Sequence, residues 1–267
     1  MLKVGLIGFG SIGKDVAHYI KERKVNDVSL KGILVRNKEK VQQLEEDWIV
    51  CDHIDEFLQL DLDVVIEAAG HDAVYQFGED VLLSGKDLMI ISVGALADET
   101  LHTSLEKAAE RTNTKLMIPS AAIAGLDRIA SARFRNISEI KLITRKPPRV
   151  WYGTIAEERV NLETICEPYC IFSGTARQSA KLFPESVNVS AALSLAGIGF
   201  DETEVEVYVD PTVQHNTHEI AARGDFGEVR FQVQNTPSAD NPKSGYIVAM
   251  SICKVLNNLT SRFVIGI

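Results

Sequence analysis

Cysteine is scarce. There are four in 267 residues, and Cys166 and Cys170, separated by three residues, find no second pair to complete a zinc set. The same count excludes a disulfide framework, and all four read as reduced thiols of a cytoplasmic protein. Positive charge is in deficit: 28 Lys+Arg stand against 37 Asp+Glu, a net charge of −9. That balance lacks the basic surface that general nucleic-acid binding needs, so no nucleic-acid partner is expected. Long apolar runs are missing too. None reaches the roughly 18–20 residues of a membrane span, and no membrane partner is expected. The opening MLKVGLIGFG has no apolar signal core with a cleavage site and reads as a strand. What is present is ordinary: 45% hydrophobic and 24% charged residues, enough for a folded core and incompatible with disorder. The length fits one large domain or two of ordinary size.

The first informative stretch joins three signals. Lys3 to Ile7 is a buried-type strand, Gly8-Phe9-Gly10-Ser11-Ile12-Gly13 follows at once, and Val16, Ala17 and Ile20 then recur at helical spacing. Strand, G-x-G-x-x-G and helix together form the fingerprint of a dinucleotide site. Gly8 permits the tight turn, Gly10 admits the pyrophosphate to the backbone, and Gly13 lets helix and strand pack closely. Phe9, Ser11 and Ile12 lie in the same loop, and the helix start offers free N–H groups and its positive dipole end to phosphate. A second strand, Val28 to Val35, should end near the ribose. A free 2′-hydroxyl usually meets Asp or Glu about 20 residues after the glycines. Here the chain reads Val35-Arg36-Asn37-Lys38, and Arg36 can pair with a 2′-phosphate or stand solvated at a loop tip. NADP is expected to be accepted, with NAD also open.

Asp63 to Ala69 is a further strand ending at Gly70-His71, which makes Ala69 and Gly70 candidate coenzyme neighbours. His71 reads as a ligand group or as a helix cap. Helices around Val74–Leu83 and Leu101–Arg111 alternate with strands Leu88–Ser92 and Lys115–Ile118. The fold expected is α/β, a doubly wound Rossmann-type parallel sheet.

After Ile118 the pattern changes. Small residues, Pro119 to Gly125, leave the sheet, and a short helix runs to about Phe134. Period-two strands follow at Glu139–Arg145, Thr203–Val209, His218–Arg223 and Glu228–Gln234. They predict a half-buried antiparallel meander covered by helices Ala176–Phe183 and Val189–Ala196. Asn241 and Pro242 resemble the cap and first position of a last helix, apolar on most sides through Tyr246–Leu259, that returns to the nucleotide domain. The expected division is 1–120 plus 240–267 for the dinucleotide-binding domain, and 121–239 for an inserted α+β domain on a largely antiparallel sheet.

Six histidines show no metal-ligand spacing, and no metal site is expected. His18 and His102 fall on helices and read as surface residues. His218 shares parity with Ile220 and Ala222 and so points to the apolar face of its strand. It is placed to accept a proton near neutral pH, or to serve as a satisfied structural histidine. Lys243, read in a helix's first turn, either holds an anion such as a substrate carboxylate or is a solvated cation.

These elements together resemble the L-aspartate dehydrogenase family over essentially the whole chain. The resemblance is carried by Gly8–Gly13, by Pro119-Ser120-Ala121-Ala122-Ile123-Ala124-Gly125 and by Phe183-Pro184-Glu185-Ser186-Val187-Asn188-Val189. It continues in Asp210-Pro211 with Asn216-Thr217-His218-Glu219, and in Asn235-Thr236-Pro237-Ser238 with Asn241-Pro242-Lys243. It implies oxidation of L-aspartate by NAD or NADP to iminoaspartate. That product hydrolyses to oxaloacetate and ammonia, or passes to a quinolinate-forming enzyme for NAD synthesis. It implies a homodimer, His218 as catalytic histidine, and Ala122 and Asn188 beside the nicotinamide in a cleft between domains. Asn216 and Lys243 are the candidate substrate contacts. The family commonly has glycine where this chain has Ala121 and Ala124, and threonine-serine where it has Ser244-Gly245. It also has asparagine where this chain has Ser186. Two rivals stand beside this reading: a related reductase of another dicarboxylate or cyclic imine, and a non-catalytic NADP-binding sensor.

Overall fold

The structure, a computed structural model, describes residues 1–41, 48–183, 187–239, 241 and 244–266. The chain divides into two compact units: Met1–Ala121 with Ser238–Ile267, and Ala122–Pro237.

The first unit begins with β1 (Leu2–Ile7), the glycine turn and α1 (Ser11–Lys21), followed by β2 (Val28–Leu34) and β3 (Ile49–Cys51). Next come α2 (Ile54–Leu58), β4 (Val64–Glu67), α3 (His71–Leu83), β5 (Asp87–Ile90), α4 (Glu99–Thr112) and β6 (Leu116–Met117). The six strands pair in parallel in the order β3-β2-β1-β4-β5-β6. This is the doubly wound order, and its switch point lies where β1 stands between β2 and β4. β4 is buried throughout, as expected for a strand covered on both faces. Val16, Ala17 and Ile20 of α1 join Val4, Leu6, Leu30, Ile33 and Ile66 in one core.

The second unit holds α5 (Leu126–Ala132), β7 (Ile137–Lys146), β8 (Tyr169–Thr175), α6 (Ala176–Leu182) and α7 (Val187–Ala196). It ends with β9 (Glu204–Val209), β10 (Thr217–Gly224) and β11 (Gly227–Gln234). α6 opens on a capping box in which the Thr175 side chain accepts from Gln178 N and the Gln178 side chain accepts from Thr175 N. The sheet order is β11-β10-β7-β9-β8. The alternation along β9 is as read, with Val205, Val207 and Val209 buried. The simple antiparallel meander is corrected, because β7 lies between β10 and β9 and runs parallel to β9. A parallel neighbour needs a long crossover, and β8, α6 and α7 supply it.

The last helix, α8, spans Ile247–Thr260 and packs Val248, Ala249, Ile252, Cys253 and Leu256 into the core of the first unit. Two expectations change here. The helix begins at Ile247, so Asn241 is not its cap: Ser244 N donates instead to Asn241 O, closing a turn, and Ser238 N donates to Ser244 O. Nor is α8 buried on most sides, since Ile247, Met250 and Leu259 are exposed. Pro242 and Lys243 lie outside the described residues, as do Pro184, Glu185 and Ser186. Among the described residues no helix is long and apolar enough to cross a membrane.

Candidate active site

In the first unit the glycine turn leaves the carboxyl end of β1. Gly8 has φ of +94°, and a Cβ there would lie 2.8 Å from both the carbonyl oxygen of Ala68 and the Cβ of Ala69. The turn therefore sits against the chain leaving β4, on the two strands that flank the switch point. A Cβ on Gly13 would approach the Gly8 carbonyl oxygen to 2.5 Å, so the close packing needs glycine. Above Gly10 nothing lies within 4 Å of the same imagined atom. Gly10 caps α1 without a side-chain bond, and no acidic residue stands in the first turn. Open backbone, free N–H groups and no competing carboxylate fit a dinucleotide pyrophosphate. Ser11 Oγ meets Ser238 Oγ at 2.9 Å, which ties the start of α1 to the returning C-terminal segment. Phe9 and Ile12 pack on the core. Arg36 is exposed one residue beyond Val35, after the end of β2.

The β4–α3 loop is built around a group not singled out in the sequence. Glu67 is 1% exposed. Its Oε1 accepts from Ala69 N at 2.7 Å, Gly70 N at 2.8 Å and Ser92 Oγ at 2.9 Å. Its Oε2 accepts from Ser92 N at 3.0 Å and Ile91 N at 3.3 Å. The carboxylate thus fixes the loop carrying Ala69 and Gly70. The available signal was a lone acid in the apolar run DVVIEAA, because a buried charge demands partners. Gly70 caps α3 and His71 is its first residue, so the histidine is not the cap.

The second unit brings Ala122, Asn216 and His218 to one end of its sheet. Asn235 Nδ2 donates to Ala122 O at 2.8 Å, and Asn235 N donates to Asn216 O at 3.3 Å. Asn216 immediately precedes β10, and His218 is the strand's second residue. His218 is 6% exposed and shares the covered face with Ile220 and Ala222. Its Nδ1 lies 3.1 Å from Oγ1 of Thr144, its partner across the antiparallel β7–β10 pair. Burial first, and the positive charge of Lys146 second, push the imidazole from 6.5 down to about 4. A neutral ring with an available lone pair is therefore its state near neutral pH. The loop before β10 is held by Asp210, whose carboxylate accepts from Thr212 N at 2.8 Å and from Arg145 at 3.3 Å. Asn188 occupies the first turn of α7.

Residues 127–259 match the family model for the aspartate dehydrogenase C-terminal domain, and residues 8–119 match the NAD-binding domain of homoserine dehydrogenase. An L-aspartate dehydrogenase from Methanosarcina barkeri is 41% identical, with all of both chains covered. The chain belongs to the L-aspartate dehydrogenase family. The family member from Ralstonia pickettii is 36% identical over 97% of each chain. The fold matches that of aspartate dehydrogenase from Thermotoga maritima, with a TM-score of 0.80 at 23% identity and all of both chains covered. It also resembles a hyperthermophilic archaeal homoserine dehydrogenase in complex with NADPH. There the TM-score is 0.64 at 13% identity, with 100% of this chain and 99% of the other covered.

Proposed function

We propose that the chain oxidises L-aspartate at its Cα–N bond with NAD or NADP, giving iminoaspartate, which water converts to oxaloacetate and ammonia. The observation that carries this reading is the identity of 36–41% with L-aspartate dehydrogenases along effectively the whole chain. The geometry of each unit supports it: an open glycine turn beside Ala69 in one, and a buried neutral imidazole in the other.

When bound, the coenzyme supplies the hydride acceptor. Gly8 to Gly13 hold its pyrophosphate, Ala69 and Gly70 line its path, and Ala122 and Asn188 border its nicotinamide. The substrate arrives as an ammonium, and its nitrogen must lose a proton before Cα can release hydride. His218 accepts that proton. Its low basicity rises when two substrate carboxylates stand nearby, since an adjacent anion favours imidazolium. Asn216 and Lys243 hold those carboxylates. Arg36 admits the 2′-phosphate of NADP. The enzyme works in the cytoplasm as a homodimer and passes part of its iminoaspartate to a quinolinate-forming enzyme, supplying NAD synthesis.

The test is a spectrophotometric assay of reduced nicotinamide with L-aspartate and each coenzyme, using D-aspartate, L-glutamate and L-alanine as controls. Turnover confined to L-aspartate is expected. Turnover of another dicarboxylate or a cyclic imine in its place would install the related reductase. Tight coenzyme binding without turnover of any substrate would leave a sensor.

A further inference from the structure

We infer that Thr144 is a positioning residue for this reaction: its hydroxyl accepts a hydrogen bond from Nδ1–H of His218 and so leaves Nε2 as the bare nitrogen that takes the substrate's proton. The inference rests on the reading of His218 as the base and adds the group that sets its tautomer.

Three observations carry it. First, the pair is fixed by the sheet itself. Thr144 and His218 are direct cross-strand partners in the antiparallel β7–β10 ladder, so their side chains leave the same face side by side. Second, both are enclosed, Thr144 at 3% and His218 at 6% exposure, so water is a poor substitute partner at Nδ1. Third, the 3.1 Å separation of Thr144 Oγ1 and His218 Nδ1 is a hydrogen bond, which commits Nδ1 to the protein and leaves Nε2 for the substrate.

The direction of that bond follows from the chemistry. A neutral imidazole carries one N–H. If the hydroxyl donated to Nδ1, the proton would sit on Nε2 and the substrate would face a donor. With Nδ1–H donating to Oγ1, Nε2 is free, and the same bond survives when Nε2 is protonated. The threonine then supports both states of the base without turning. Its branched Cβ restricts χ1, which holds the oxygen in place.

The test compares Thr144→Val, Thr144→Ser and His218→Ala with the parent, all as full chains. Thr144→Val keeps the shape and removes the acceptor. Its kcat should fall roughly 10- to 100-fold, the range for removing a group that orients a functional imidazole, with coenzyme Kd unchanged and KM moving less than kcat. Thr144→Ser should restore most of the loss. Nitrogen NMR of protein carrying labelled histidine should report Nδ1–H at His218 in the parent and a shift toward Nε2–H in the valine variant. A parent ring that carries its proton on Nε2 overturns the proposal, and that measurement needs no variant to fold. Parent-like kcat in Thr144→Val overturns it as well, as does a serine variant no better than valine. An inactive His218→Ala beside a fully active Thr144→Val would remove Thr144 alone. A fully active His218→Ala would instead remove the reading of His218 as the base.

Discussion

The hydroxyl of Ser92 donates to the carboxylate of Glu67 across 2.9 Å, joining the chain beyond β5 to the carboxyl end of β4. Four backbone N–H groups complete the set, so one side chain organises both segments leaving the sheet beside the glycine turn. Replacing Glu67 by Ala takes the partner from four donors, since Ile91 N keeps its bond to the Glu67 carbonyl oxygen at 3.2 Å. The expected loss of stability is at least about 3 kcal/mol, read as a shift in the denaturant midpoint. Ser92→Ala removes one of that residue's two bonds to the carboxylate, since its N–H stays, and should cost about 1 kcal/mol. Coenzyme affinity should fall with Glu67→Ala, because Ala69 and Gly70 lose their anchor. Unchanged midpoints would mean that these donors find other partners.

Backbone conformation separates two positions in the run from Pro119 to Gly125. Ala121 sits at φ of +47°, in the left-handed region that favours glycine, and its N–H donates to Ser251 Oγ at 2.9 Å. Ala121→Gly should therefore stabilise the protein, by about 0.5–1 kcal/mol once the extra freedom of the unfolded glycine is counted. Gly125 sits at +78°, and a Cβ there would come within 2.0 Å of the Phe231 ring. Gly125→Ala should cost at least about 2 kcal/mol, through both the backbone and the displaced ring. Thermal melts of the two variants should move in opposite directions, and melts that shift together would contradict the argument.

Local signals carried much of this molecule. The glycine turn after a clean strand marks the coenzyme unit, because Gly8 and Gly13 each face a contact too close for a Cβ and Gly10 leaves its backbone open. The parity of His218 with Ile220 and Ala222 puts the imidazole on the covered face of the strand, and there it lies. Pairings distant in sequence were not legible. Nothing in Ile137–Lys146 announces that it will lie parallel to Glu204–Val209, and nothing at Thr144 announces His218 as its neighbour. Asn241-Pro242 carried a convincing start signal, yet the helix begins at Ile247. Ser244 is drawn instead into bonds with Asn241 and with Ser238, and tertiary context overrides the local preference. β8, with Cys170, Ser173 and Gly174 interrupting its apolar residues, gave no clean alternation to read.

Arg36 gives the coenzyme prediction. It is exposed just beyond β2, where the adenosine ribose is expected. Arg36→Ala should weaken NADP binding by about tenfold or more and leave NAD binding nearly unchanged, since only NADP carries the phosphate that a guanidinium pairs with. Titrating each reduced coenzyme by fluorescence measures both constants. Equal weakening of the two would show that Arg36 does not discriminate between them.

His218 is the residue on which turnover should depend. Removing a positioned general base typically costs about 10²–10⁴-fold in rate. His218→Ala should lose kcat on that scale while keeping its coenzyme dissociation constant, because the residue belongs to the unit without the glycine turn. Wild-type turnover in this variant would remove the imidazole from the chemistry.

The same residue makes stability depend on pH, and the sign can be worked out. Folding lowers the His218 pKa from 6.5 to about 4, chiefly by burial. Between these values the unfolded chain binds the proton more readily than the folded one, so protonation pulls the equilibrium toward unfolding. Above about pH 6.5 both states are neutral and the residue adds no pH dependence. As pH falls from 6.5 toward 4 the protein should progressively lose about 3 kcal/mol on this account. Urea unfolding of the parent and of His218→Leu across that range isolates the effect, because other titrating groups are common to both. The parent should lose stability faster than the variant as the solution is acidified. Parallel curves would mean that the ring charges as easily inside the fold as outside it, which the enclosure of His218 beside Thr144 argues against.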